Sequence, residues 1–497
     1  MSTEVVSPAA QGLRRACLSY SEILAQSVSV IAPSTIPAAV LGLIYARAGN
    51  ATWLSFSLGI VGLVLVSLNI NQFARRSASP GSLYSYIVQG LGPTAGVLGG
   101  WALLFGYTLT GMSTLCGFAL IGNVLLQQAT GVQLPVPVWF AIGALASFYI
   151  AFRDIQLSAK MMLMFEGLSI LFVLVLAGLI WRHHGFAVDH AQLTLEGASP
   201  SGTLVAVVLV VFGFSGFESS TALGGEAKDP LKTIPRSVIQ SVVLAGLFFI
   251  ATAYIVVLGF SGTGDALAAS EAPLHTLAHN IGWDGLGTVI NVGILLSFFS
   301  CTLAAINSTA RVLFSMARHG LIADSLGHAH VENRTPHVAV ALSALLTLGI
   351  PLTLYALGWS AFDCQGYFGT LCSFGFIVVY MLISLAAPVY LASIGKLTWS
   401  AQLQAAGGLL FMALPLLGIV GIPGSELLPT PDRTGATLLT IFVGYMAVGL
   451  GWLLLQRSRQ PLLGAQLRLA IENGGDLELV EASEPVTPAR RTNRHEH

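Results

Sequence analysis

The sequence predicts an all-α membrane protein, and three properties of its composition indicate this class. Of the 497 residues, 54% are hydrophobic and only 9% are charged, whereas soluble globular proteins carry roughly 25% charged residues. The 22 Lys and Arg nearly balance the 23 Asp and Glu, so no polybasic surface is present. Long apolar runs recur along most of the chain. These properties exclude a soluble enzyme, a nucleic-acid-binding protein and a disordered protein.

Twelve apolar runs are candidate membrane spans, since a spanning helix needs roughly 20 apolar residues. The third and eighth runs exceed the bilayer thickness, so we expect them to tilt or to protrude. We predict a cytoplasmic N-terminal segment (1–22), a twelve-helix domain (23–456) and a cytoplasmic tail (457–497) with a short amphipathic segment followed by disorder. The runs lie near 23–46, 51–73, 94–126, 136–152, 161–181, 203–223, 237–260, 286–316, 338–357, 366–391, 403–423 and 435–456.

The positions of Lys and Arg predict the orientation of the chain in the membrane. If residue 1 is cytoplasmic, 19 of these residues fall on the cytoplasmic side, and only Arg47, Arg182 and Arg433 fall outside. Cytoplasmic loops of membrane proteins carry such an excess of positive charge. We therefore expect a multi-pass protein of the plasma (inner) membrane with both termini in the cytoplasm.

The sequence indicates neither a cofactor nor a catalytic centre. The five cysteines are odd in number and irregularly spaced, which favours neither a disulfide framework nor a metal cluster. No H-E-x-x-H motif is present, and the Gly395-Lys396 pair lacks the other residues of a phosphate-binding loop. We expect no metal, no cofactor and no enzymatic activity.

Two of the twelve runs carry clusters of proline or glycine with serine or threonine in mid-span. A regular apolar helix does not require such residues there. Proline removes a backbone donor and clashes with the preceding turn, and glycine permits non-helical backbone. We predict that both helices unwind there and that the unwound residues bind substrate. These residues are Ala32, Pro33, Ser34 and Thr35 in the first run, and Phe212, Gly213, Phe214, Ser215 and Gly216 in the sixth.

The two predicted interruptions lie about 180 residues apart, at the first span of each of two five-span units. This arrangement is typical of transporters with inverted repeats, whose half-helix ends meet near the bilayer midplane. Free N–H groups favour an anionic group such as a carboxylate, and free carbonyls favour an ammonium group or a cation. One unwound pair can therefore hold both ends of a zwitterion. The alternative is a pair of simple kinks, because Pro and Gly are common in membrane helices.

The sequence around the second interruption carries a family resemblance. Residues 212–236, FGFSGFESSTALGGEAKDPLKTIPR, resemble the sixth-helix signature of the amino acid–polyamine–organocation superfamily of permeases. Residues 80–101, 153–160 and 307–320 resemble the region between helices 2 and 3, the loop entering helix 5, and helix 8 of the same family. The resemblance covers roughly residues 20–455.

The resemblance implies a leucine-transporter-type fold with five-plus-five inverted repeats, broken helices 1 and 6, and two extra helices. It also implies transport of amino acids or polyamines, by proton symport or by exchange. The chain departs from the family at residues 32–35, where members usually have a Gly-rich break. Some relatives carry a lysine in the middle of helix 5, close to the place of Glu166 in this chain.

Four residues are predicted to gate the site or to couple it to protons, and one more to line it. Glu166 lies well inside the fifth run, where a carboxylate is costly and indicates function. We expect it to bind and release a proton; the alternative is a structural carboxyl group. Glu218 either fastens the unwound backbone or senses pH. In the family that the chain resembles, an aromatic residue at the place of Phe212 covers the substrate from outside. Tyr367 is a second candidate gate, and the hydroxyl of Tyr107 can line the site.

Charged residues near the predicted cytoplasmic ends are assigned structural roles. Asn307 and Arg311 lie one turn apart on the eighth helix. We expect Arg311 to pair with acids of the loops; the alternative is a clamp for the carboxylate of a substrate. Glu226, Lys228 and Asp229 are expected to form solvated ion pairs, which contribute little stability.

These observations favour a secondary active transporter of amino acids or related amines that works by alternating access as a proton-coupled symporter. A substrate exchanger of the same fold is the alternative, and a channel is disfavoured because no span carries a ring of like charges. The expected partners are a small-molecule substrate, a proton or counter-substrate, and the lipid bilayer, with no nucleic acid. The few charges near the site favour a neutral or cationic amine over an acidic amino acid.

Overall fold

The described residues of the protein are almost entirely helical. The computed structural model describes residues 12–78, 81–261, 266–270, 272–425, 427–428 and 430–472. Within these ranges the backbone forms seventeen α-helices and no β-sheet, with one isolated bridge between Leu18 and Ala227. The predicted all-α class is confirmed.

The helices are numbered in chain order. The first nine are α1 (Tyr20–Ile31), α2 (Leu41–Ala48), α3 (Thr52–Ala74), α4 (Ser82–Leu91), α5 (Pro93–Thr130), α6 (Val136–Arg153), α7 (Ile155–His183), α8 (His190–Leu193) and α9 (Pro200–Gly213). The other eight are α10 (Pro230–Phe260), α11 (Pro273–Asn280), α12 (Asp284–Arg318), α13 (His337–Ala356), α14 (Ala361–Ser393), α15 (Trp399–Val420), α16 (Arg433–Arg459) and α17 (Leu463–Glu472).

Ten helical segments of the described chain are long and apolar enough to cross a membrane. The first, Tyr20–Ala74, contains α1 to α3 and has 55 residues, far more than the roughly 20 that one crossing needs. Helix α9 is apolar as well but has only 14 residues. Helices α5 and α12 have 38 and 35 residues, so both are longer than one crossing requires, as the third and eighth apolar runs indicate.

Helix α4, a ten-residue helix between the second and third apolar runs, is not among the predicted elements. This helix is packed closely on both sides. A Cβ atom at Gly96 of α5 would lie 3.0 Å from the Cα of Val88, and one at Gly90 would lie 2.6 Å from the carbonyl oxygen of Ala386 in α14. Because α4 is too short to span a bilayer, a search for runs of spanning length does not find it.

The residues before α1 lie across one end of the bundle. The amides of Cys17 and Leu18 donate to the carbonyl oxygen of Glu226 at 2.9 and 3.0 Å. Arg14 forms a 3.3 Å ion pair with Asp154, which separates α6 from α7. Burial, and then the negative charge of Glu226, raise the pKa of the Cys17 thiol to about 11, so the thiol is protonated at neutral pH. This segment is therefore fixed to the bundle by side-chain and backbone bonds.

The C-terminal residues are helical as far as they are described. Helix α16 continues to Arg459 and is followed by α17. Arg457 donates to the hydroxyl of Thr94 at the start of α5, at 2.7 Å. The predicted disorder of the tail concerns residues 473–497, which lie outside the described residues, as do residues 1–11.

Close contacts at glycines join the central helices α5, α12 and α14. A Cβ atom at Gly375 of α14 would lie 2.5 Å from the Ala102 carbonyl oxygen of α5. One at Gly117 of α5 would lie 2.5 Å from the ring of Phe298 in α12. Small residues allow membrane helices to approach each other this closely. The three helices form the support against which the shorter segments pack.

Replacing Gly375 with alanine is expected to destabilise this support. The added methyl group would meet the backbone of α5 at both Ala102 and Gly106, and a helix backbone cannot move aside as a flexible side chain can. Overpacking of this kind costs about 1–3 kcal/mol. Thermal unfolding of the purified protein in detergent measures the loss.

The matched control is Gly349→Ala in α13, where an added Cβ atom would meet nothing within 4 Å. Alanine favours a helix over glycine, so this variant should be as stable as the unmodified protein or more so. Equal melting temperatures for the two variants would contradict the close α5–α14 packing.

Candidate functional site

The first interruption follows α1. Helix α1 ends at Ile31, and Ala32 adopts left-handed backbone angles with φ 48° and ψ 63°. Pro33 comes next and has no amide hydrogen. The N–H and the hydroxyl of Thr35 donate to the Ala32 carbonyl oxygen at 3.0 and 2.8 Å, which closes a turn. Helical bonding resumes at Ile36, in a π-helical turn that leads into α2.

Ser34 lies at the centre of this interruption and is fully buried. Its hydroxyl accepts a 2.6 Å hydrogen bond from Ser169 of α7. Its amide N–H has no acceptor among the described residues. A free N–H in a buried position is suited to an anionic group.

The second interruption follows α9. Helix α9 ends at Gly213, residues 214–218 form consecutive turns, and a 3₁₀ helix begins at Ser219. Gly216 has a φ of 86°, which L side chains rarely adopt, and a Cβ atom there would lie 2.2 Å from the side chain of Val30. Both the backbone angle and the space therefore require glycine at this position.

The two interruptions lie against each other. The hydroxyl of Ser219 donates to the Gln26 carbonyl oxygen at 3.2 Å, and the amide of Ser220 donates to the hydroxyl of Ser27 at 3.0 Å. The contact between Gly216 and the end of α1 adds to these bonds. A Cβ atom at Gly213 would lie 2.9 Å from the side chain of Ile36, so the second interruption also lies close to the residues that follow the first.

Glu218 fastens the second interruption to the central helices. Its carboxylate is fully buried, and it accepts a 2.7 Å hydrogen bond from the hydroxyl of Tyr107 in α5 and another from the hydroxyl of Tyr380 in α14. The Tyr380 oxygen in turn accepts from the amide of Gly216 at 2.9 Å. One carboxylate and two phenols therefore hold the unwound backbone in place. Tyr107 is brought to the site, with its hydroxyl directed to Glu218.

Tyr380 is a member of this cluster that was not among the predicted site residues. Tyr367, on the same helix, is the residue predicted as a second gate. The two residues are 13 positions apart, which is about 20 Å along a helix. The ring of Tyr367 packs edge-on against Trp359 at 5.7 Å, near the start of α14, so Tyr367 lies away from the Glu218 cluster. The choice between two tyrosines in one apolar run depends on helix depth, which an uncertain span boundary does not give.

Phe212 lies at a cavity of about 770 Å³. The cavity is walled by residues of α2, α9, α14 and α15 and the segment before α16, and Arg47 is the only charged residue among those described that line it. Phe214, two positions on, is fully buried and packs edge-on against Phe249 of α10 at 5.0 Å. Of the two rings, that of Phe212 borders open space and that of Phe214 belongs to a helix interface.

Glu166 lies on α7 beside the first interruption. It is 2% exposed, and the hydroxyl of Ser297 in α12 donates to both of its carboxylate oxygens at 3.0 and 3.1 Å. Ser169, one turn along α7, bonds to Ser34 of the interruption. The i, i+3 spacing places the Glu166 and Ser169 side chains on one helix face. A buried carboxyl group is thus connected to the first interruption through one turn of α7.

Arg311 of α12 forms a buried ion pair with Glu226. The Nε–Oε2 distance is 2.6 Å and the Nη2–Oε1 distance is 2.9 Å, and the side chains are 1% and 0% exposed. The predicted pairing of Arg311 with a loop acid is confirmed. The prediction of a solvated ion pair at Glu226 is wrong, because this carboxylate is buried inside the bundle against Arg311. Asp229 forms an exposed pair with Lys232 at 3.2 Å, as expected of a surface pair.

The two interrupted helices are in contact, and buried hydroxyl and carboxyl groups surround them inside a bundle of apolar helices. Within the described residues, no group of three or more His, Cys, Asp or Glu side chains could hold a metal ion. The fold and site therefore define an integral membrane transporter. The chain belongs to the amino acid permease family, which it matches over residues 29–423.

Individual relatives agree with this assignment. The chain is 25% identical over 361 residues to the branched-chain amino acid permease BcaP of Bacillus subtilis, with 69% of this chain and 74% of that permease covered. It is 24% identical over 355 residues to the low-affinity putrescine importer PlaP of Escherichia coli, with 67% and 72% covered. It is 26% identical over 416 residues to an uncharacterized transporter of Mycobacterium tuberculosis, with 83% and 86% covered. The relatives are permeases and transporters, and the protein is not an enzyme.

The buried pair of Arg311 and Glu226 generates a stability prediction. Arg311→Met leaves the Glu226 carboxylate buried without its cation, which costs about 3–5 kcal/mol. The double variant R311M/E226M removes both charges and is expected to recover a large part of this loss. Thermal unfolding in detergent of the unmodified protein, R311M, E226M and the double variant gives the coupling between the two residues.

Lys232→Met is the matched control, since it removes the cation of the exposed pair with Asp229. Its effect should stay below about 1 kcal/mol. If the losses of R311M and E226M simply add in the double variant, the two side chains do not form the pair that the structure shows.

Proposed function

We propose that the protein is a secondary active transporter of amino acids or related amines that binds its substrate between the two interruptions and works by alternating access. The observation that carries this proposal is the contact between the two interrupted helices. Ser219 and Ser220, just after the second interruption, bond to Gln26 and Ser27 of α1. Gly216 of the second interruption lies against Val30 at the end of α1. Membership of the amino acid permease family supports amino acids or related amines as the class of substrate.

The proposed membrane topology has twelve crossings arranged as five-plus-five inverted repeats. Counting Tyr20–Ala74 as two crossings, and α9 with the turns after it as one, raises the ten candidate spans to twelve. On this topology the interrupted segments are the first crossing of each repeat. The excess of Lys and Arg on one side supports cytoplasmic termini, and we place the protein in the plasma membrane.

The proposed substrate is an α-amino acid with an uncharged side chain. The free amide of Ser34 is suited to the carboxylate group of such a ligand. Both oxygens of Glu218 accept hydrogen bonds from tyrosines, so this carboxylate is not free to pair with a second ammonium group. A relative described as a branched-chain amino acid permease fits this reading better than one described as a putrescine importer.

The proposed coupling ion is the proton, and Glu166 is the residue proposed to carry it. Its carboxyl group is buried beside the first interruption and has hydroxyl partners, with no cation paired to it among the described residues. Binding a proton removes the charge of this carboxyl group and changes its bonding to Ser297. Such a change can alter the stability of the neighbouring turn through Ser169 and Ser34.

Transport by the purified protein in proteoliposomes tests the proposed function. Labelled leucine should accumulate when the outside is made more acidic than the inside, and labelled putrescine should not. Leucine uptake that is independent of the pH gradient but requires leucine inside the vesicles would show that the protein is an exchanger. Absence of uptake of every amino acid and amine tested, by a protein that unfolds cooperatively, would overturn the proposal.

The variant Glu166→Gln separates coupling from binding. The amide keeps the size of the side chain but cannot exchange a proton, so we expect gradient-driven accumulation of leucine to fall to the level without a gradient. Exchange of external for internal leucine should persist. Glu332→Gln, which changes an exposed carboxylate, is the control and should retain both activities. Unchanged accumulation by E166Q would remove Glu166 from the coupling mechanism.

A further inference from the structure

A second cavity lies at the junction of α3 and α10, outside the candidate substrate site. Its volume is about 650 Å³, and its described lining residues are Arg75, Leu231, Lys232, Pro235, Arg236, Ile239 and Gln240. Three of these seven residues are cations and none is acidic. The cavity therefore combines a positive rim with apolar walls.

Two of the three cations are not neutralised by an acid. Arg75 and Arg236 form no ion pair with any described residue. The Arg236 guanidinium lies over the ring of Tyr20, 5.0 Å from its centroid. Lys232 pairs with Asp229 at the surface. The cavity thus keeps an excess of positive charge that a bound anion can neutralise.

The walls of the cavity are held together by the packing of α3 on α10. The side-chain amide of Asn71, one turn before Arg75, donates to the Pro235 carbonyl oxygen at 2.9 Å. A Cβ atom at Gly246 of α10 would lie 2.2 Å from the side chain of Ile60 in α3. The positions of the two arginines relative to each other are therefore set by buried contacts between the helices.

An apolar stripe leads from the cavity along α10. Residues 236, 240, 244 and 247 follow at helical spacings of four, four and three, so they share one face. Leu244 and Leu247 on this face are 50% and 57% exposed. From Arg236 to Leu247 the stripe extends about 16 Å, roughly half the hydrocarbon thickness of a bilayer. The face changes from cationic to amide to apolar along this length.

We propose that this cavity is a binding site for an anionic phospholipid, with the phosphate group between Arg75 and Arg236 and an acyl chain along Leu244 and Leu247. A phospholipid is the molecule whose phosphate and hydrocarbon chain match this order of cationic and apolar surface. Basic pockets between membrane helices bind anionic headgroups for this reason. The lipid would contact α3, α10 and the start of α1 together.

Thermal unfolding of the delipidated protein in detergent tests the proposal. The probes are palmitoyl-oleoyl phosphatidylglycerol, phosphatidylcholine with the same acyl chains, and inorganic phosphate. Phosphatidylglycerol should raise the melting temperature in a saturable manner, with native mass spectrometry showing one retained lipid. Phosphatidylcholine should do so only weakly. Equal protection by phosphatidylcholine, or by inorganic phosphate alone, would overturn the assignment.

Variants assign the effect to the cavity. R75Q/R236Q removes two cations and should weaken the apparent affinity for phosphatidylglycerol about 30-fold. R457Q/R459Q removes two cations at the end of α16, outside the cavity, and should leave the affinity unchanged. R75K/R236K keeps the charge and should retain the preference for phosphatidylglycerol. This variant is the control that separates loss of charge from misfolding caused by replacing the two arginines. Equal losses in R75Q/R236Q and R457Q/R459Q would show that the lipid responds to net charge and not to this cavity.

Discussion

Water is absent from the hydrocarbon core of a bilayer, so each backbone N–H and C=O group there needs a partner inside the protein. This constraint explains the surroundings of both interruptions. The amide of Gly216 donates to Tyr380, the amide of Ser220 donates to Ser27, and Thr35 bonds back to Ala32. Where helical bonding is lost, most of the backbone groups named here bond to side chains of other helices or within the turn itself. At Ser34 the described residues supply no such partner for the amide, and there a ligand can supply one.

Two buried carboxylates hold the segment after α9 at two points. Glu218 joins its unwound part to α5 and α14 through two tyrosines. Glu226 joins its end to Arg311 of α12 and, through its carbonyl oxygen, to the residues before α1. The cavity at Phe212 lies on the other side of the interruption. On the proposed alternating-access mechanism this end has to open, and the Arg311–Glu226 pair would then separate or move as a unit with α12.

The sequence predicted the class of the protein and the places where two helices lose their regular bonding, because apolar runs, prolines and glycines act locally. It did not predict α4, since ten residues give no run of spanning length. It did not indicate Tyr380, which the structure places against Glu218, and it predicted a solvated Glu226 where the structure buries this residue. For Tyr380 and Glu226 the deciding fact is a contact with a residue more than 80 positions away, and composition and periodicity do not report such contacts.

The central claim is that residues 32–35 and 213–218 form one binding site. Hydrogen–deuterium exchange of the purified protein, with and without saturating leucine, tests this claim most directly because the method measures the protection of the backbone amides. The account predicts that peptides covering both segments become protected together, with little change at the exposed face of α16. Protection of only one segment, or of neither while leucine still raises the melting temperature, would contradict a shared site.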